Sequence, residues 1–124
     1  MGLDTYASRT PERLLMDEDR QAFKEARINL CGGTFSGSAG SFRGNVYVFL
    51  IYEVTRVELH QLWIPPKTVY AMWQALEHCN MKRISREFSD IYCKNPREIR
   101  QALGQLRKFF RVCGRRRLGL VNWW

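Results

Sequence analysis

"NPREIRQALGQLRKFFRVCGRRRLGLVNWW", residues 95–124, is the stretch whose reading decides the fold. Asn95 has an N-cap side chain, Pro96 takes the first helical position, and Glu98 at the third can reach back to the cap. The spacing predicts a helix from there to about Cys113, with Gly114 as its C-terminal stop. At 100° per residue, Ile99, Ala102, Leu103, Leu106, Phe109, Phe110 and Cys113 share one arc of about 120°. Arg97, Arg100, Arg107, Lys108, Arg111 and Arg115 fall in a second arc, nearly opposite. One face therefore packs on a core and the other presents cations in register, extended by Arg116 and Arg117. Residues 118–124 have the β-branched and aromatic composition of a strand. A long amphipathic helix leading into a strand calls for an α+β fold.

Working outward, residues 66–79 predict another helix. Val69, Met72, Trp73, Leu76 and Cys79 recur on one apolar face, which assigns Trp73 to the core. A further helix is expected over residues 84–92. The stretch 45–54, "NVYVFLIYEV", has a composition that favours a strand, but its length and the spacing of Val46, Leu50, Val54 and Val57 favour a buried helix, which is the reading taken. Residues 59–64 should be extended ahead of Pro65. Near the N-terminus, Thr10-Pro11-Glu12 reads as a helix start, and Asp17-Glu18-Asp19 as a cap for a helix carrying Phe23. Residues 28–31 read as a short strand. The C-terminal strand should pair with residues 3–7 or 28–31. The expectation is a helix-rich α+β domain spanning 1–124, with four or five helices and a small sheet from the terminal segments.

The composition belongs to a folded chain: 45% of residues are hydrophobic and 13% aromatic, unlike disordered tails. The longest apolar run is 46–52, far short of the ~20 residues of a membrane span. The opening residues form neither a basic nor an apolar leader, so a cytoplasmic location without a membrane partner is expected. Cys31, Cys79, Cys93 and Cys113 form no C-x-x-C pair, which argues against a zinc site and leaves buried free thiols as the expectation. His60 and His78 flank no recognisable nucleophile, so a non-enzymatic protein without cofactor is expected. The acids Asp4, Asp17, Glu18 and Asp19 read as capping and surface residues.

Charge is the informative quantity. Residues 80–124 carry +9 and residues 1–79 carry −1, within a net charge of +8. An asymmetry of this kind points to an anionic partner. A line of arginines on one helix face can neutralise several phosphates together, so DNA or RNA phosphate backbone is the first candidate. Its contacts would be Arg97, Arg100, Arg107, Lys108, Arg111, Arg115, Arg116 and Arg117. An acidic protein surface is the second candidate, and a face that only keeps the chain soluble is the plain alternative.

"CGGTFSGSAGSFRG", residues 31–44, offers a different chemistry. Glycines let backbone N–H groups approach an anion. The spacing does not match a P-loop, and no lysine lies between Lys24 and Lys67. In this alternative a nucleotide-type ligand would be held by Gly32, Gly33, Gly37, Gly40 and Arg43, with Trp63 or Tyr47 stacked on its base. The competing reading is a connecting loop. Of the remaining tryptophans, Trp123 and Trp124 could stand exposed as a feature that stacks bases or a planar ligand, but are expected to dock into the core, since free terminal tryptophans are an aggregation liability.

The opening "MGLDTYA", the stretch "CGGTFSG…GSFRG", "WIPP" and the ending "LGLVNWW" together resemble a set of small bacterial and phage-encoded proteins that begin MGLD-x-Y. The resemblance carries over no binding or catalytic residue. It implies a phage or mobile-element accessory protein, including the option of a protein inhibitor of a host enzyme.

Overall fold

The two ends of the chain form the middle of a sheet. In the computed structural model, which describes residues 2–31 and 40–124, strand β1 (Asp4–Ser8) pairs antiparallel with β4 (Gly119–Trp123). Strands β2 (Ser41–Arg43) and β3 (Trp63–Ile64) flank them in the order β2-β1-β4-β3, all antiparallel. Of the two pairings expected for the C-terminal strand, the N-terminal one is realised. Five helices complete the described residues: α1 (Asp17–Ala26), α2 (Gly44–Thr55), α3 (Pro66–His78), α4 (Met81–Tyr92) and α5 (Pro96–Arg116). The result is a helix-rich α+β domain, as the terminal stretch implies.

The period of two turns Thr5, Ala7, Leu120 and Asn122 inward and buries them. Thr5 Oγ1 donates to Asn122 Oδ1 at 2.7 Å, and Asn122 Nδ2 donates to the Gln61 carbonyl at 3.0 Å. Buried polar groups are thus satisfied across β1, β4 and the approach to β3. Helix α5 packs against α3, α4 and α1. Phe109 is the hub, 5.1 Å from Phe23 of α1 and 4.8 Å, edge-on, from Phe42 of β2. The segment 45–54 is helical, and Tyr47, Val48, Leu50 and Ile51 are its buried face.

Several local expectations change. Thr10-Pro11-Glu12 opens no helix. The Ser8 hydroxyl accepts from Leu14 N at 2.8 Å, Arg9 N donates to Leu14 O at 2.7 Å, and Arg13 takes a left-handed φ of 60° that a helix excludes. Residues 28–31 are not a strand, because their amides go to side chains: Asn29 N donates to Gln105 Oε1 and Cys31 N to the Tyr47 hydroxyl. Of residues 59–64 only Trp63–Ile64 joins the sheet. Gly114 does not stop α5. It lies within the helix, and a Cβ there would stand 2.3 Å from Trp73 Cε3, so glycine is what lets α3 and α5 approach. The cap falls to Arg117 at φ 57°, whose N–H donates to the Cys113 carbonyl. Among the cysteines only Cys113 is buried, and burial pushes its thiol pKa up. Cys31 and Cys93 are exposed, and all four are free. The terminal tryptophans are not docked: Trp123 and Trp124 are each 56% exposed.

Candidate polyanion interface

The arginine row of α5 divides by what each side chain already holds. Arg107 lies against the end of α3, where Nε donates to the Leu76 carbonyl at 2.6 Å and Nη2 to the Cys79 carbonyl at 3.0 Å. Helix ends leave carbonyls without intrahelical partners, and this guanidinium supplies donors for two of them. Arg111 pairs with Glu77 of α3, Nε at 2.7 Å and Nη2 at 2.5 Å from the same carboxylate oxygen. Partial burial works against ionisation of Glu77, but the Trp73 indole N–H and Arg111 outweigh it and hold its pKa below the usual value.

Arg116 joins a buried node. Asp19 has no solvent exposure and accepts from Arg116 Nε at 2.6 Å, from Arg9 Nε at 2.6 Å and Nη2 at 2.8 Å, and from Met16 N at 2.9 Å. Burial alone would raise its pKa. Arg9, the Met16 amide and Arg116 more than offset that and hold it at about 2. Asp19 does cap α1, as its position suggests, but it is no surface residue: it ties the end of α5 to the segment after β1.

The remaining cations are uncommitted. Arg97, Arg100, Arg115 and Arg117 are exposed and Lys108 is half-buried. None forms an ion pair with a described residue. Arg97 and Arg115 stand about five turns apart on one line of the helix, roughly 27 Å, with Lys108 between them.

Where α1 leans on α5 the surface folds into a groove of about 500 Å³. Ala22 and Ala26 of α1 and Val112 of α5 form its apolar part. Lys108, Arg111, Arg115 and Arg116 line the α5 side, against a single carboxylate, Glu25, from α1. The small alanines keep α1 low beside the longer cationic side chains. The groove thus draws together four of the eight cations singled out from the sequence. Arg97, Arg100, Arg107 and Arg117 do not line it. Its α1 wall, like the Arg9–Asp19 node, carries no signal in local spacing.

The alternative ligand residues are not brought together. Gly32, Gly33 and Gly37 lie outside the described residues. Gly40 is buried: a Cβ would meet Leu15 Cδ1 at 2.8 Å, and its carbonyl accepts from Ala7 N at 2.8 Å. Arg43 stands 3.9 Å from Asp4. It belongs to edge strand β2, whereas Trp63 belongs to the opposite edge, β3, three strand spacings or roughly 14 Å away. Tyr47 donates no platform either, since it is buried with its hydroxyl on the Cys31 amide.

Among the described residues no group of three or more His, Cys, Asp and Glu gathers as a metal site, and no helix is long and apolar enough to cross a membrane. No protein-family model, no curated protein and no solved structure matches the chain. What is defined is therefore a helix-rich α+β domain with a mainly cationic groove between its first and last helices.

Proposed function

We propose that the protein is a non-enzymatic nucleic-acid-binding accessory protein that holds phosphates along the α1–α5 groove. The observation that carries this reading is the convergence of Lys108, Arg111, Arg115 and Arg116 on one concave surface with a single opposing carboxylate. Clefts lined by one sign of charge concentrate counter-ions of the other. Glu77 offsets Arg111, whereas Arg9 and Arg116 together exceed Asp19 by one positive charge, so the field comes from Lys108, Arg115 and that node. Lys108 and Arg115, with Arg97 and Arg100 along the same helix, are free to meet phosphates directly. Recognition is mainly of the backbone, to which a row of long cations on one helix supplies phosphate contacts.

The test is binding of labelled DNA and RNA, single- and double-stranded, as salt rises from about 50 to about 200 mM. Four phosphate contacts give an affinity loss of about 50- to 150-fold over that range. The variant Arg97→Gln, Arg100→Gln, Lys108→Gln, Arg115→Gln should bind more weakly and with a shallower salt dependence. Absence of binding by the unmodified protein at the lowest salt refutes the reading.

A further inference from the structure

The outer face of the sheet carries the exposed Trp123 and the half-buried Tyr6 and Trp63, beside an arginine that already stacks on Tyr6. Register places Tyr6 opposite Val121, Asp4 opposite Trp123, and Trp63 opposite Val121. Cross-strand partners point to the same side, so Tyr6, Trp63 and Trp123 share the face turned away from the buried Thr5, Ala7 and Leu120. Tyr6 and Trp123 are diagonal neighbours, roughly 7 Å apart. The Arg13 guanidinium lies 3.7 Å from the centre of the Tyr6 ring and 5.5 Å from that of Trp123. Trp123 and Trp124 are each 56% exposed, and Trp124 forms a T-shaped pair with His60 at 5.5 Å.

A ring face that receives a planar guanidinium offers the same surface to a planar base, and arginine itself stacks on bases. Exposed aromatics with cations at the rim are the combination that binds unpaired nucleotides: the rings take the bases and the cations take the phosphates. Arg13 stands at this face, and Arg43 closes its β2 edge. A duplex cannot use such a platform, because its bases are stacked on one another.

The platform and the groove share one anchor. Arg9, one residue past β1, is bound to Asp19 together with Arg116. The segment carrying Arg13 is therefore anchored at the C-terminal end of α5. Arg117 occupies the corner where α5 turns into β4.

We infer that Tyr6 and Trp123, with Arg13, form a base-stacking platform, and that the polyanion is single-stranded nucleic acid. This inference rests on the groove being a phosphate site. The experiment compares a labelled oligonucleotide of about 12 nucleotides, in DNA and RNA form, with a duplex of the same length. It uses the unmodified protein and the variants Trp123→Ala and Trp123→Phe, with sedimentation of each protein alone.

Trp123→Ala should weaken single-strand binding by about 5- to 150-fold while leaving its salt slope intact. Duplex binding should be unchanged. Trp123→Phe, which keeps a ring, should restore most of the affinity, and unmodified protein should show tryptophan quenching on saturation. Equal binding of single strand and duplex, unaffected by Trp123→Ala, overturns the platform and leaves the groove reading standing. No binding of any nucleic acid by the unmodified protein overturns both. A dimer that Trp123→Ala converts to monomer, with nucleic-acid affinity unchanged, assigns the face to self-association and also overturns the platform.

Discussion

Asp19→Asn removes the carboxylate on which Arg9, Arg116 and the Met16 amide converge, and its cost can be worked from the structure. The side chain has no exposure, whereas Arg9 and Arg116 retain 33% and 31%. The native carboxyl titrates at about 2 against an ordinary 3.8. At roughly 1.4 kcal/mol per pKa unit, this corresponds to about 2.5 kcal/mol. Because the folded pKa lies below the unfolded one, the stabilisation is complete above about pH 5 and is lost as pH falls through about 2. About half of it remains near pH 3. The two arginines can recover water when the acid is lost, so the variant should lose about 2 kcal/mol rather than the ~3–5 kcal/mol of a fully buried pair. Urea denaturation of both proteins at about pH 7 and about pH 3 measures this, and other titrating acids such as Glu77 cancel in the difference. The gap should halve on acidification. A gap under about 0.5 kcal/mol at neutral pH, or one that does not change with pH, would refute the account of Asp19 as the anchor of the α5 terminus.

Gly114→Ala should destabilise by about 1–2 kcal/mol, because overpacking against the Trp73 ring outweighs the ~1 kcal/mol that alanine gains over glycine in a helix. A thermal melt lowered by several degrees, with altered tryptophan fluorescence, is the expected record. Arg107→Gln and Lys108→Gln, adjacent on α5, should separate structure from binding. Arg107→Gln strips donors from the Leu76 and Cys79 carbonyls and should cost about 2 kcal/mol, whereas Lys108→Gln should stay within ~0.5 kcal/mol yet flatten the salt dependence of polyanion binding. Denaturation and salt-titrated binding on both variants check the pair.

Local chemistry was sufficient for much of the architecture. Asn95-Pro96 starts α5, its apolar arc buries Ile99, Leu103, Leu106, Phe109 and Phe110, and the composition of 118–124 makes a strand. These outcomes depend on spacing and capping within a few turns, which the order of residues contains directly. Residues 45–54 are helical as read, but the face differs: of Val46, Leu50, Val54 and Val57 only Leu50 is buried, and Val46 is exposed, while Tyr47, Val48 and Ile51 turn inward. The excess of positive charge in the last third is likewise a property of the sequence alone.

Contacts between distant segments decided the rest. The arginine row looks uniform from its spacing, yet α3 takes Arg107 and Arg111, and Asp19 takes Arg116 across 97 positions in the chain. Gly114 looks like a helix stop, but Trp73 needs its missing side chain to be accommodated inside the helix. Thr10-Pro11 has the residues of a helix start, but Ser8 and Leu14 close the segment as a loop and bring Arg13 back onto Tyr6. Sequence determined which faces are apolar and which are cationic, because those are sums over neighbouring residues. Only the tertiary structure decided which cations are spent on internal carbonyls and carboxylates, because partners so far apart meet only once the helices have packed.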